Sequence, residues 1–210
     1  MNAWHRRIAA FALATCSCGA FAHSPIQGMS HFSNGMLHPA LVPAHLIALI
    51  ATGLWIGYWP KDSNTYFGFI GAALLGLVLG PFFTLPAAEQ LILMLATIVA
   101  IAVALHWPGP AWVRLSVAAC LGVLVGLDST PDGLAGSQLW MSLAGTWLTI
   151  LLAIGALFVL CEIASRPWQR IALRVVASWM AASALIVVAL ITVKPIQNAT
   201  SSRTAAVMPR

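Results

Sequence analysis

The sequence predicts an all-α polytopic membrane protein, about six transmembrane helices in a compact bundle behind an N-terminal signal peptide. Three observations predict it. Of the 210 residues 60% are hydrophobic and 7% charged, whereas soluble domains are roughly one quarter charged. Apolar runs of about twenty residues, the length that crosses a bilayer, recur along the chain. The first residues, Met1 to Arg7, are basic and lead into an apolar stretch from Ile8 that ends in Ala20-Phe21-Ala22, the pattern of a cleaved secretory signal.

Taken in order, residues 1–22 form the signal peptide, with an uncleaved signal anchor as the alternative. Cys16 and Cys18 lie inside it, and Leu13-Ala14-Thr15-Cys16 is a poor version of a lipoprotein processing site. Cleavage after Ala22 exposes His23, whose amine and imidazole together suit copper or nickel. Residues 23–36 then form a periplasmic arm that also carries His31. The transmembrane domain, 37–193, holds apolar runs at about 40–59, 66–84, 87–106, 111–127, 137–162 and 171–193. Pro60 to Asn64, Pro81 with Pro86, His106 to Pro110, Asp128 to Gly136 and Arg166 to Arg170 punctuate them. A polar tail, 194–210, closes the chain.

Orientation follows from the basic residues. With an exported amino terminus the inner loops hold Lys61, Arg114, Arg166, Arg170 and Arg174, and the outer loops Glu89, Asp128 and Asp132, in accord with the positive-inside rule. The expected location is the bacterial inner membrane, and the net charge of +5 is a topology signal, not a nucleic-acid footprint. Trp55, Trp59, Trp107, Trp112, Trp140 and Trp168 fall near predicted helix ends, as interfacial anchors do. Gly53/Gly57, Gly76/Gly80 and Gly122/Gly126 each form a GxxxG, which permits close helix approach, within the chain or in a homo-oligomer. Cys120 and Cys161 are expected as small core residues, without a disulfide framework.

Polar side chains are scarce within the spans, so those present carry the functional reading. The stretch from His38 to Gly57 joins two histidines and two prolines to an apolar run. Intramembrane ionisable groups are functional candidates by default, and an imidazole is both a metal ligand and a proton carrier near neutrality. His38 and His45 are roughly 10 Å apart along an unbroken helix. Pro39 suits a first helical turn, while Pro43 removes a donor and predicts a kink or an unwound turn over a polar cavity. Glu89 begins the third span and Asp128 ends the fourth, so alternation brings both to the side of His38. Imidazole mixed with carboxylate suits a divalent transition metal. The structural alternatives are a packing histidine at 45, a dipole partner at Glu89 and turn chemistry at Asp128 and Asp132.

The same stretch resembles the hydrogenase/urease accessory (HupE/UreJ) membrane proteins, whose signature is His-Pro followed by Asp-His and an apolar helix. His38, Pro39, His45, Ala48, Ala51, Gly53 and Leu54 stand at matching places, and Leu85-Pro86-Ala87-Ala88-Glu89 resembles a second motif, Leu-Pro-x-x-Glu. The resemblance covers residues 23 to about 190 and implies nickel or cobalt uptake. The chain departs from the pattern twice: Ala44 replaces the Asp, and Val125 to Gly133 lacks the family's His-Gly-x-x-His-Gly.

No Ser/His/Asp arrangement in a recognisable context, HExxH or phosphate loop supports catalysis, and no organic cofactor is indicated. The expected function is binding or transport of a divalent metal ion, nickel or cobalt, with copper or zinc in the same ligand class. His38, His45, Glu89 and Asp128 form the site, and His31 and His23 the capture arm. The alternative is a non-transporting scaffold for a metalloenzyme or its maturation system.

Overall fold

The computed structural model describes residues 28–59 and 63–207, with side chains described up to residue 190. The signal segment 1–22, His23 and Lys61 lie outside the described residues. Among the described residues the chain is all helical. α1 (His31–Leu41), α2 (Pro43–Tyr58), α3 (Ser63–Leu79), α4 (Ala88–Ala104), α5 (Ala111–Asp128), α6 (Gly136–Ile163) and α7 (Pro167–Val207) follow one another without a strand. By length and composition α5, α6 and residues Pro167–Leu190 of α7 can cross a membrane, and α1 with α2 can form one broken span. α3 and α4 are shorter apolar helices of 17 residues, the lower end of the spanning range.

The prolines set the first break. Pro39, expected in a first turn, lies inside α1, whereas the break expected at Pro43 is present, with Pro43 opening α2 directly after it. Val42 between them is extended, with φ −86° and ψ 111°, the conformation a residue before proline favours. The two helices meet at 72°. Residues 31–36, expected as part of a polar arm, are thus the first turns of α1, which starts at an N-cap where Ser33 N–H donates to Ser30 Oγ at 3.1 Å.

Pro39 has no N–H for the carbonyl of Gly35, four residues earlier. The hydroxyl of Thr146 on α6 donates to that carbonyl at 3.0 Å, and Thr149 donates to Met36 O at 2.8 Å. Gly35 and Gly145 allow the approach: a Cβ on Gly35 would overlap the backbone of Ser142, and one on Gly145 the carbonyl of Phe32. α1 is thereby fastened to α6 through backbone that an unbroken helix would have kept for itself.

α2 is the axis of the bundle, packing against α6, α4 and α7. Most of it is buried, including Leu54 and Ile56, and Trp55 at 2% exposure is a core residue instead of an interfacial anchor. Trp107, Trp112, Trp140 and Trp168 are exposed as anchors would be. Each GxxxG works within the chain. Gly53 and Gly57 abut Leu157 and Cys161 of α6, whereas Gly76, Gly122 and Gly126 bring α3 and α5 into backbone contact. Cys161 is buried, but Cys120 is exposed on the outside of α5, contrary to the core position expected for it. Leu75, Ile98, Leu152, Ile171 and Ile186 are likewise exposed, as a bundle with lipid for solvent requires. α3 ends at Leu79, before Pro81, because Pro81 cannot donate to the carbonyl of Leu77. α7 continues as helix to Val207, through the residues expected as tail.

Thr146→Val removes the partner of the Gly35 carbonyl and is expected to cost about 1 kcal/mol of stability. Thermal unfolding in detergent measures it. In a Pro39→Ala background, where residue 39 regains an N–H for the same carbonyl, the loss from Thr146→Val should shrink, a coupling that a double-mutant cycle reads directly.

Candidate functional site

The break at Val42 folds α1 back over the start of α2, so His38 and His45 are no longer separated by two helical turns. Their rings meet edge to face with centroids 5.1 Å apart. His45 is wholly buried and His38 is 9% exposed. α5 runs so that its last residue reaches the same end, and His45 Nε2 lies 3.0 Å from Asp128 Oδ2. The carboxylate is partly open, at 19%.

Asp128 has an unfavourable helical position. It is the last residue of α5, where the macrodipole disfavours negative charge, and the carbonyls around it already accept from hydroxyls. Ser129 Oγ donates to Val125 O at 2.6 Å, and Thr130 Oγ1 to Leu127 O at 3.4 Å. Capping of the helix end belongs to those hydroxyls, and the imidazole of His45 is one group that meets the Asp128 carboxylate.

The pair sets the state of the ring. An ionised carboxylate can only accept, so His45 Nε2–H donates, and a neutral imidazole then keeps its lone pair on Nδ1. Nδ1 is buried and makes no hydrogen bond to the protein. A carboxylate behind one ring nitrogen with the other bare is the arrangement that orients a metal-binding histidine and raises its basicity.

Asp128 also lines an open cavity of about 200 Å³ with Asp132, Thr84, Thr130, Gly80 and Ala88. Water can therefore reach the carboxylate from the turn between α3 and α4. Glu89 follows Ala88 in the first turn of α4 and is half-buried. Among the described residues no ion pair joins it to His45, and it stands where a carboxylate meets the positive end of the helix dipole. His31 heads α1, two turns before His38 and about 10 Å along the axis. Among the described residues no three His, Cys, Asp or Glu side chains converge to hold a metal ion.

The opposite end of the bundle holds the basic residues. Arg170 donates to Tyr58 O at 3.0 Å and lies over the Tyr58 ring, Arg174 donates to Ala104 O at 2.9 Å, and Arg114 donates to Pro108 O and Gly109 O. His106, expected merely at the interface, is bound there, with Nδ1 3.1 Å from Tyr58 Oη and its ring against Trp59. Its φ of 57° is left-handed, uncommon for a residue with a side chain. Tyr58 and Asp132 were weak signals in the sequence, since a tyrosine at a helix end and an aspartate beside proline and glycine both have ordinary explanations.

Asp128→Leu strands His45 with two unpaired buried nitrogens and is expected to destabilise the protein by about 1–3 kcal/mol. Asp128→Asn keeps an acceptor for Nε2–H and should cost less. The difference in thermal unfolding between the two variants checks the assigned hydrogen bond.

The profile of the HupE/UreJ protein family matches residues 11–189. No curated protein and no solved structure is significantly similar to the chain.

Proposed function

The chain belongs to the HupE/UreJ family, and from that premise we propose that it binds and passes a divalent transition metal ion, with His38 and His45 as ligands. The family is associated with nickel or cobalt uptake or with an accessory function. The observation that carries the reading is the 3.0 Å hydrogen bond between His45 and Asp128. It turns His45 Nδ1 into a fixed, electron-rich donor beside a second imidazole, in a bundle with little other polar chemistry.

Asp128 then acts through His45, orienting it, more than as a ligand in its own right. Two imidazoles are a partial shell whose other positions water fills, which suits an ion that must leave again. Asp132 and Asp128 at the cavity mouth, with Glu89 nearby, supply the negative charge that gathers cations. His31, at the head of α1, would take part with His23 in capturing the ion. Nickel or cobalt is the cargo implied by the family. The donors also accept copper and zinc, and Ala44 and the histidine-free segment 125–133 leave fewer ligands for discrimination. The cluster of Arg114, Arg170 and Arg174 at the far end supports an inner-membrane orientation with the His45 end outside.

A second reading, a non-transporting scaffold for a metalloenzyme maturation system, draws on the lack of three converging ligands among the described residues. Purification separates the two. A lone protein retaining nickel or cobalt favours the carrier, and a stoichiometric partner without metal favours the scaffold.

Uptake of radioactive nickel by cells making the protein should be lost in His38→Ala/His45→Ala. It should fall about 10- to 100-fold in Asp128→Asn, the range for disturbing a carboxylate behind a metal-binding histidine. Equal accumulation by the double variant and the unaltered protein would overturn the carrier reading.

A further inference from the structure

α4 ends in a turn that glycine usually makes. His106 N–H donates to Val103 O at 3.0 Å and Trp107 N–H to Ala102 O at 2.8 Å, the paired bonds of a Schellman motif, whose left-handed residue is most often glycine. Here that residue is His106, with φ 57°. Among the described residues every other positive φ belongs to a glycine. A side chain kept at a strained backbone position points to a function for that side chain.

The imidazole reaches the last residue of α2. Its Nδ1 lies 3.1 Å from Tyr58 Oη, and the ring packs edge to face on Tyr58 and against Trp59, with centroids 5.4 and 4.8 Å away. Tyr58 is 2% exposed, and a third helix grips it as well. Arg170 of α7 donates to its carbonyl at 3.0 Å, with the guanidinium 5.2 Å over its ring. One turn along α7, Arg174 donates to Ala104 O at 2.9 Å, at the end of α4. At this end of the bundle α2, α4 and α7 are thus clasped by polar side chains, and His106 itself is exposed. Hydrogen bonds that water can replace contribute little net free energy. A clasp of this kind opens more readily than interlocked apolar side chains.

The clasp is also connected to the far end. Arg114, in the first turn of α5, donates to Pro108 O and Gly109 O, which fastens the turn carrying His106 to α5. Asp128, the last residue of α5, meets His45 and lines the open cavity. α2 is therefore tied at both ends to one segment: to Asp128 through His45, and to His106 through Tyr58.

We propose that Tyr58, His106, Arg170 and Arg174 form a gate opposite the His38–His45 site. It is shut in this structure while the cavity at Asp128 is open, and its parting at the Tyr58–His106 contact lets the ion leave on the basic side. That an ion passes rests on the metal reading above; that the clasp parts does not.

Cys161 reports on it, being 1% exposed and abutting Gly57, the residue before Tyr58. In full-length protein in detergent, with Cys16, Cys18 and Cys120 replaced by alanine, the rate at which a small water-soluble maleimide labels Cys161 measures opening. Tyr58→Phe keeps the ring under Arg170 and removes the hydroxyl that His106 meets. Labelling should quicken about three- to tenfold, the worth of one hydrogen bond. His106→Gly relieves the left-handed backbone and should quicken labelling too, whereas a histidine that only forms the turn would leave the rate unchanged. Ile92→Cys, wholly buried on α4 toward the other end, is placed in the same variants with Cys161→Ala and should stay unlabelled. Unchanged labelling of Cys161 in either variant overturns the gate and leaves the His38–His45 site standing. Labelling of Ile92→Cys shows general loosening and overturns it as well. Nickel ions, by displacing Asp128 and with it α5, should quicken labelling of Cys161 when the clasp is intact but not in His38→Ala/His45→Ala. Fast labelling in Tyr58→Phe without a response to nickel keeps the clasp and sinks the cargo.

Discussion

Two missing N–H groups, those of Pro39 and Pro43, govern how the outer end of this bundle is built. Because Pro39 cannot donate to Gly35, the carbonyl turns to Thr146, and α1 is held against α6. Because Pro43 cannot continue α1, the chain opens at Val42 and restarts at 72°. Neither effect is local in its outcome. Together they bring His38 against His45, which no straight helix does at that spacing.

The rest of the site follows from helix alternation and charge. α5 runs parallel to α3, on which it packs glycine to backbone, and opposite in direction to α2, so its carboxyl-terminal residue arrives beside the amino-terminal turn of α2. A carboxylate there opposes its own helix dipole and is stabilised by the imidazole across the interface. With the carboxylate ionised, the tautomer that pairs with it carries its proton on Nε2 and its lone pair on Nδ1. Glycine-mediated contacts pack α3 closely on α5 and α2 closely on α6, the two pairs between which the 3.0 Å bond is made.

The helices and their order were legible because hydrophobic length and proline–glycine punctuation report directly on what a bilayer tolerates. That His45 and Asp128 stand at the same end of the bundle was legible too. Their partnership was not, since a separation of 83 residues carries no contact information. The break at Pro43 was legible, but the place of Pro39 inside α1 was not, because the carbonyl that an internal proline frees is taken by Thr146, which is remote in the chain. Trp55 reads as an interfacial anchor by position, yet α2 is central, and a tryptophan on an axial helix has only core to face.

One feature of the packing reaches beyond the protein. α3 and α4 each have 17 residues, about 25 Å of helix, against a hydrocarbon layer of about 30 Å. They flank the turn over which the acidic cavity opens. A short span is accommodated by thinning the bilayer or by associating with other helices, and thinning at this turn would bring the lipid surface closer to the buried imidazoles. On the metal reading proposed above, that flank would then be where a cation meets the lowest dielectric barrier.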